Sequence, residues 1–113
     1  FDGNAWHTET LSTTAIVGVY PSLVLDSAGQ AHIAYYNLTQ TSLMYAHRTV
    51  TLTWEIQSIE SAGDIGWMPS IAISPDNLVG ISYYDATNGD LRYAGATIFA
   101  GTYLYTFIPM VTK

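Results

Sequence analysis

Cysteine is absent from the chain. That excludes disulfide staples, thiolate chemistry and cysteine-based zinc sites. Charge is scarce as well: 11% of residues are Asp, Glu, Lys or Arg, against about a quarter in ordinary globular domains. Only three basic residues stand against nine acidic ones, a net charge of −6. Nucleic acid as a partner is disfavoured, because phosphate neutralisation needs Lys and Arg, and anionic membrane surfaces are disfavoured for the same reason. No apolar run approaches the roughly 20 residues of a membrane helix, and no stretch keeps a helical period. A surface so poor in charge implies that part of it is covered, for instance by another copy of the chain.

What the chain has is an internal repeat. Pro21-Ser22-Leu23-Val24-Leu25-Asp26 returns as Pro69-Ser70-Ile71-Ala72-Ile73-Ser74, and His32-Ile33-Ala34-Tyr35-Tyr36-Asn37 as Gly80-Ile81-Ser82-Tyr83-Tyr84-Asp85. The offset is 48 residues throughout and needs no insertion between residues 6 and 96. Trp6 maps to Trp54, Gly18 to Gly66, Leu43 to Leu91, Tyr45 to Tyr93 and Ala46 to Ala94. Periods of this length mark arrays, solenoids and propellers.

Each unit reads as four short strands. They are expected at about 21–26, 31–37, 42–48 and 54–60, then at 69–74, 79–85, 90–97 and 102–108. The alternation Leu23/Leu25, Ile33/Tyr35 and Leu43/Tyr45 has the period of two that a pleated strand imposes, and Val, Ile, Tyr and Thr suit such a surface. Turn chemistry separates the runs: Asp26-Ser27-Ala28-Gly29, Ser74-Pro75-Asp76-Asn77 and Thr87-Asn88-Gly89-Asp90. Four antiparallel strands in a unit of 40–50 residues describe a β-propeller blade, with a β-sandwich of two repeats as the alternative. The expected fold is all-β: one module over 1–113, with repeat one at about 6–53, repeat two at about 54–101, and a terminal strand and tail at 102–113. Three outer strands (4–11, 54–60 and 102–108) accompany two sets of inner ones, so one is surplus. Two blades cannot close a ring, and the expected partners are copies of the chain or neighbouring blades of a longer one. The chain opens on Phe1 rather than Met, as a processed product or a piece of a longer protein would.

The pattern resembles a blade repeat of secreted bacterial propellers: a Trp-bearing outer strand, then G-x-x-P-S-L-x-L-D, H-I-x-Y-Y-D and L-x-Y-A strands. Here these fall on Trp6 or Trp54, Gly18 to Asp26, His32 to Asn37, and Leu43 to Ala46; the second copy departs at Ser74 and Gly80. In chain length and blade number it is also similar to small bacterial lectins in which three two-bladed chains form a six-bladed ring, and Phe1-Asp2-Gly3-Asn4-Ala5-Trp6 echoes their W-D-G-x-G-W segments. Such resemblance implies an extracellular, lectin-like, non-catalytic module. Sialidase-type propellers need three arginines around a carboxylate, whereas this chain has only Arg48 and Arg92, so at most it would be a fragment of such a protein.

Elsewhere the chemistry is thin. His7, His32 and His47 lack the spacing of convergent metal ligands. Asp26, Asp76 and Asp85 sit in turns, where aspartates bond their own backbone. No Ser, His and Asp set stands in a nucleophile context, and no cofactor is implied. Asn37-Leu38-Thr39 matches a glycosylation sequon. The aromatic residues carry the functional reading. Trp67 stands where the repeat has Val19, so the fold does not require it. Tyr36 with Asn37, and Tyr84 with Asp85, fall at equivalent strand ends. An aromatic face beside an amide or carboxylate is the chemistry that holds a sugar ring, so the expected ligand-binding residues are Trp67, Tyr36, Asn37, Tyr84 and Asp85. The alternative assigns these tyrosines to packing and the chain to a structural surface or filament subunit.

Overall fold

The computed structural model describes residues 3–12, 16–97 and 108–112. The fold is all-β. Strands β1 (Val19–Leu25), β2 (Ala31–Asn37), β3 (Ser42–Arg48) and β4 (Trp54–Glu60) form one antiparallel sheet in sequence order. Strands β5 (Ile65–Ile73), β6 (Leu78–Asp85), β7 (Asp90–Thr97) and β8 (Ile108–Thr112) form a second. There is no helix among the described residues. Each sheet is a meander because every connection but the last is a tight turn. Asp26 closes the first turn, its Oδ1 accepting from the N–H groups of Ala28 and Gln30 at 2.9 Å each. Asp85 closes another, its Oδ1 accepting from Asn88 N–H at 3.1 Å.

Alternation along the strands gives each sheet two unlike faces. On the first sheet Val24, Ala34 and Tyr45 share one face, since Ala34 lies opposite Tyr45 in register. On the second, Ile71, Ile81 and Ala94 share the other kind of face, Ile81 lying opposite both Ile71 and Ala94. These two faces meet. The core joins Ala34, Leu43 and Tyr45 of the first sheet to Ile65, Ile71, Val79, Ile81, Tyr83 and Ala94 of the second. The cluster combines the small residues Ala34 and Ala94 with the large rings of Tyr45 and Tyr83.

The joint is also polar at its margins. Ile71 N–H donates to Ser22 Oγ at 3.2 Å, and Ile65 N–H to the Thr41 carbonyl at 3.1 Å. Glu60 of the first sheet accepts from both Tyr83 and Arg92 of the second, and Arg92 reaches Asp85 at 2.9 Å with its other nitrogen. Gly66, at φ +109°, lies so close to Leu43 that a Cβ there would stand 2.6 Å from the Leu43 Cα. No other residue fits that approach.

Strands β2, β3, β4 and β7 begin and end where the repeat places them. Strands β1 and β5 begin earlier, at Val19 and Ile65 rather than at 21 and 69, because each starts with a bulge that shifts its register and extends the pairing. One expectation on the outer strands needs correction, and another falls mostly outside the described residues. Residues 5–12 form no strand; they run past the outer face of the first sheet, where Glu9 binds Arg48 and accepts from the Trp54 indole N–H at 2.8 Å. The last described strand is Ile108–Thr112, and the strand expected at 102–108 lies outside the described residues except for Ile108. The repeat would set Tyr105 opposite Tyr93, and instead Met110 stands there. Pro109, opposite Ala94, has no N–H to give a ladder, so the strand that carries it belongs at a sheet edge, as β8 does.

Candidate functional site

The bulges that open β1 and β5 are built from one repeated unit, Gly18-Val19-Tyr20-Pro21 and Gly66-Trp67-Met68-Pro69. In both, the residue before the proline has a left-handed backbone: φ is +53° at Tyr20 and +49° at Met68. For a side chain with a Cβ that conformation costs roughly 1–3 kcal/mol. The recurrence of the cost at equivalent positions makes the bulge a feature of the repeat. Its consequence is that Tyr20 and Met68 are thrown outward and exposed.

Tyr20 and Trp67, one from each bulge, come together across the joint. Their ring centroids lie 6.1 Å apart at an interplanar angle of 30°. Tyr36, near the end of β2, meets Trp67 on another side at 5.7 Å, tilted by 45°. Beneath them sits Asp64. Its Oδ1 accepts from the Trp67 indole N–H at 2.7 Å and from the Tyr36 hydroxyl; Oδ2 takes part in neither bond. The loop after β6 holds Asp64 in place: Ala86 N–H donates to its carbonyl at 2.9 Å, and Thr87 Oγ1 accepts its N–H at 2.8 Å. Burial and the adjoining carboxylate push the Tyr36 hydroxyl up to about 12, so it remains a donor at any physiological pH.

The five residues expected from the sequence are thus distributed unequally. Trp67 is half-buried at this rim, and Tyr36 lies beside it but is buried under the second sheet. Asn37 is buried and turn-forming, its Oδ1 accepting from Gln40 N–H at 3.0 Å. Tyr84 is exposed and registered opposite Trp67, but no ring contact joins the two among the described residues. Asp85 is fully buried. Bonds from the Asn88 side chain and backbone, and the Arg92 charge, hold its carboxyl below the usual range despite burial. The structure therefore brings Trp67 and Tyr36 together and sets Asn37, Tyr84 and Asp85 apart from them.

Sequence reasoning missed Tyr20 and Asp64. Asp64 was open to the argument that singled out Trp67, since the repeat has Ile16 at its position. Tyr20 was open to it too, since the repeat has Met68 at its position, but nothing in the sequence showed that the left-handed bulge would bring it to the rim.

A second polar cluster lies inside the joint. His32 is bonded through Nε2 to Asp26 Oδ2 at 2.9 Å and through Nδ1 to the Tyr45 hydroxyl at 2.6 Å. His47 stacks on both rings, 5.9 Å from His32 and 5.8 Å from Tyr45. Both histidines are buried. This cluster is closed to any ligand and reads as core. No family model, curated protein or solved structure matches the chain.

Proposed function

We propose that the chain is a non-catalytic binding module with β-propeller-type blades, and that its ligand is carbohydrate, held at the Tyr20–Trp67 rim. One observation carries the reading: two stacked aromatic rings, one of them exposed, stand over a carboxylate that is fixed by two donors. The apolar face of a pyranose packs on an aromatic ring, and its hydroxyls donate to a carboxylate more strongly than to a neutral acceptor. Asp64 keeps Oδ2 outside its internal bonds, and Trp67 is immobilised by Asp64 and Tyr36. A site held rigid in this way loses little freedom when it binds. The stacking surface on offer is Tyr20, since Trp67 is enclosed on the other sides.

A glycan array identifies the ligand, and a fluorescence titration of the best glycan measures it. Tyr20→Ala should weaken binding at least about tenfold, or 1.4 kcal/mol, with an almost unchanged melting temperature because the ring is exposed. Tyr20→Phe should retain binding. Absence of any glycan ligand, or full affinity in Tyr20→Ala, would overturn the reading.

A further inference from the structure

The two sheets repeat the same sequence pattern but not the same environment. Leu43 is 0% exposed and its repeat equivalent Leu91 is 60%; Tyr45 is 0% and Tyr93 is 40%; Ile71 is 7% and Leu23 is 61%. The sequence does not account for these differences, because the residue types match. Position does. The first sheet's face with Leu43 and Tyr45 is covered by the second sheet's face with Ile71 and Ile81. Among the described residues the two remaining faces, with Leu91 and Tyr93 on the second sheet and Leu23 and Leu25 on the first, have no sheet against them; residues 9–12 lie over part of the first sheet's face, beside Ile33 and Tyr35, and leave Leu23 and Leu25 exposed.

These faces are the missing halves of a joint the molecule already makes once. We infer that a second copy of this chain docks head to tail, its first sheet lying on the open face of the second sheet as β5–β8 lies on β1–β4. The equivalences are detailed. Ser22, which takes the Ile71 N–H, becomes Ser70 facing Leu23 of the copy. Leu43, pressed by Gly66, becomes Leu91 facing Gly18. Gly18 has a left-handed φ of +79°, yet a Cβ on it would meet nothing within 4 Å. Gly66 needs its missing Cβ both for its backbone and because a sheet lies against it; Gly18 needs it for its backbone alone, and the space that Leu43 fills at Gly66 is open at Gly18 among the described residues. Leu23 and Leu25 on one face, and Leu78, Tyr84, Leu91 and Tyr93 on the other, are exposed together; contiguous apolar exposure of this kind marks an interaction surface, and the intramolecular joint identifies its occupant.

The contact is heterologous, so each chain offers two different surfaces, and this sets the experiment. Sedimentation of the 113-residue protein should give a mass above that of one 12.3 kDa chain. Leu23→Asp blocks one face and Leu91→Asp the other, and each should weaken association at least about a hundredfold, as loss of a central apolar anchor does. Mixing the two variants should restore one native joint and yield a 1:1 pair, which a face-to-self contact cannot do. Retained β-sheet circular dichroism separates lost association from lost folding. Should either variant fail to fold, Leu25→Asp and Tyr93→Asp repeat the test. A wild-type monomer at every concentration, association that survives both substitutions, or folded variants that do not pair on mixing would each overturn the inference.

Discussion

Trp67 holds both bulges and both sheets at one point, so its truncation has separable costs. Trp67→Ala removes ring packing on Tyr20 and Tyr36 and leaves Asp64 a single donor. For a half-buried Trp the expected loss is about 2–3 kcal/mol, below the 3–5 of a fully buried one. Trp67→Phe keeps most of the packing and should cost about 1 kcal/mol for the hydrogen bond. Urea unfolding of the two variants distinguishes them; equal losses would mean that the ring contributes nothing beyond its N–H.

His47 provides a pH dependence. Desolvation in the joint holds its pKa below the ordinary value of 6.5, with the Glu55 charge opposing this and that of His32 adding to it. The unfolded chain therefore binds a proton at a higher pH than the folded one. Stability rises with pH across the window below 6.5 and falls as the solution is acidified through it. Asp26 and Asp85, both held below the normal carboxyl range, add a second loss below about pH 4. Urea midpoints at pH 7.5 and 5.5 should differ, and His47→Gln should reduce the difference. An unchanged difference would assign the dependence to another group.

At the scale of elements, the clamp of Glu60 with Tyr83 and Arg92 ties β4 of one sheet to β6 and β7 of the other. Arg92→Met would leave the buried carboxylate of Asp85 and the half-buried one of Glu60 without their cation, at a cost of about 2–4 kcal/mol; chemical denaturation measures it, and a loss under about 1 kcal/mol would count against the clamp. Gly66→Ala combines strain at positive φ with a backbone clash against Leu43. Each effect costs roughly 1–3 kcal/mol, so the loss should be about 3 or more, while Gly18→Ala meets only the strain.

The strands were legible wherever a neighbour in sequence was also the neighbour in space. Period-two alternation and turn residues placed β2, β3, β4 and β7 correctly. The segment 4–11 has the same repeat signature and is no strand, because its signature specifies a pairing edge that this sheet does not supply. The site was legible only in part. Tyr36 and Tyr84 have the same sequence context, yet one is buried and the other exposed. Only the position of the next sheet distinguishes them, and no local pattern encodes that.

For the whole molecule, charge predicts how assembly responds to salt. Arg92 anchors the internal joint, but its repeat equivalent is Met44, so the corresponding place in a head-to-tail joint holds no cation. Copies carrying a net charge of −6 repel one another, and added salt screens that repulsion. Self-association measured by sedimentation should therefore tighten between low and high salt. Loosening would show that ion pairs hold the copies together.

The meander topology also has a consequence in time. Within each sheet every pairing but the last joins strands linked by a short turn, and contacts so local form early. Docking of the two sheets needs partners far apart in the chain, so it should come last. Trp67 lies at that junction beside a carboxylate and two tyrosines, and in a variant with Trp6→Phe and Trp54→Phe a stopped-flow refolding trace should show its emission changing after the far-ultraviolet signal of the sheets has formed. Simultaneous changes would make the two sheets a single cooperative folding unit.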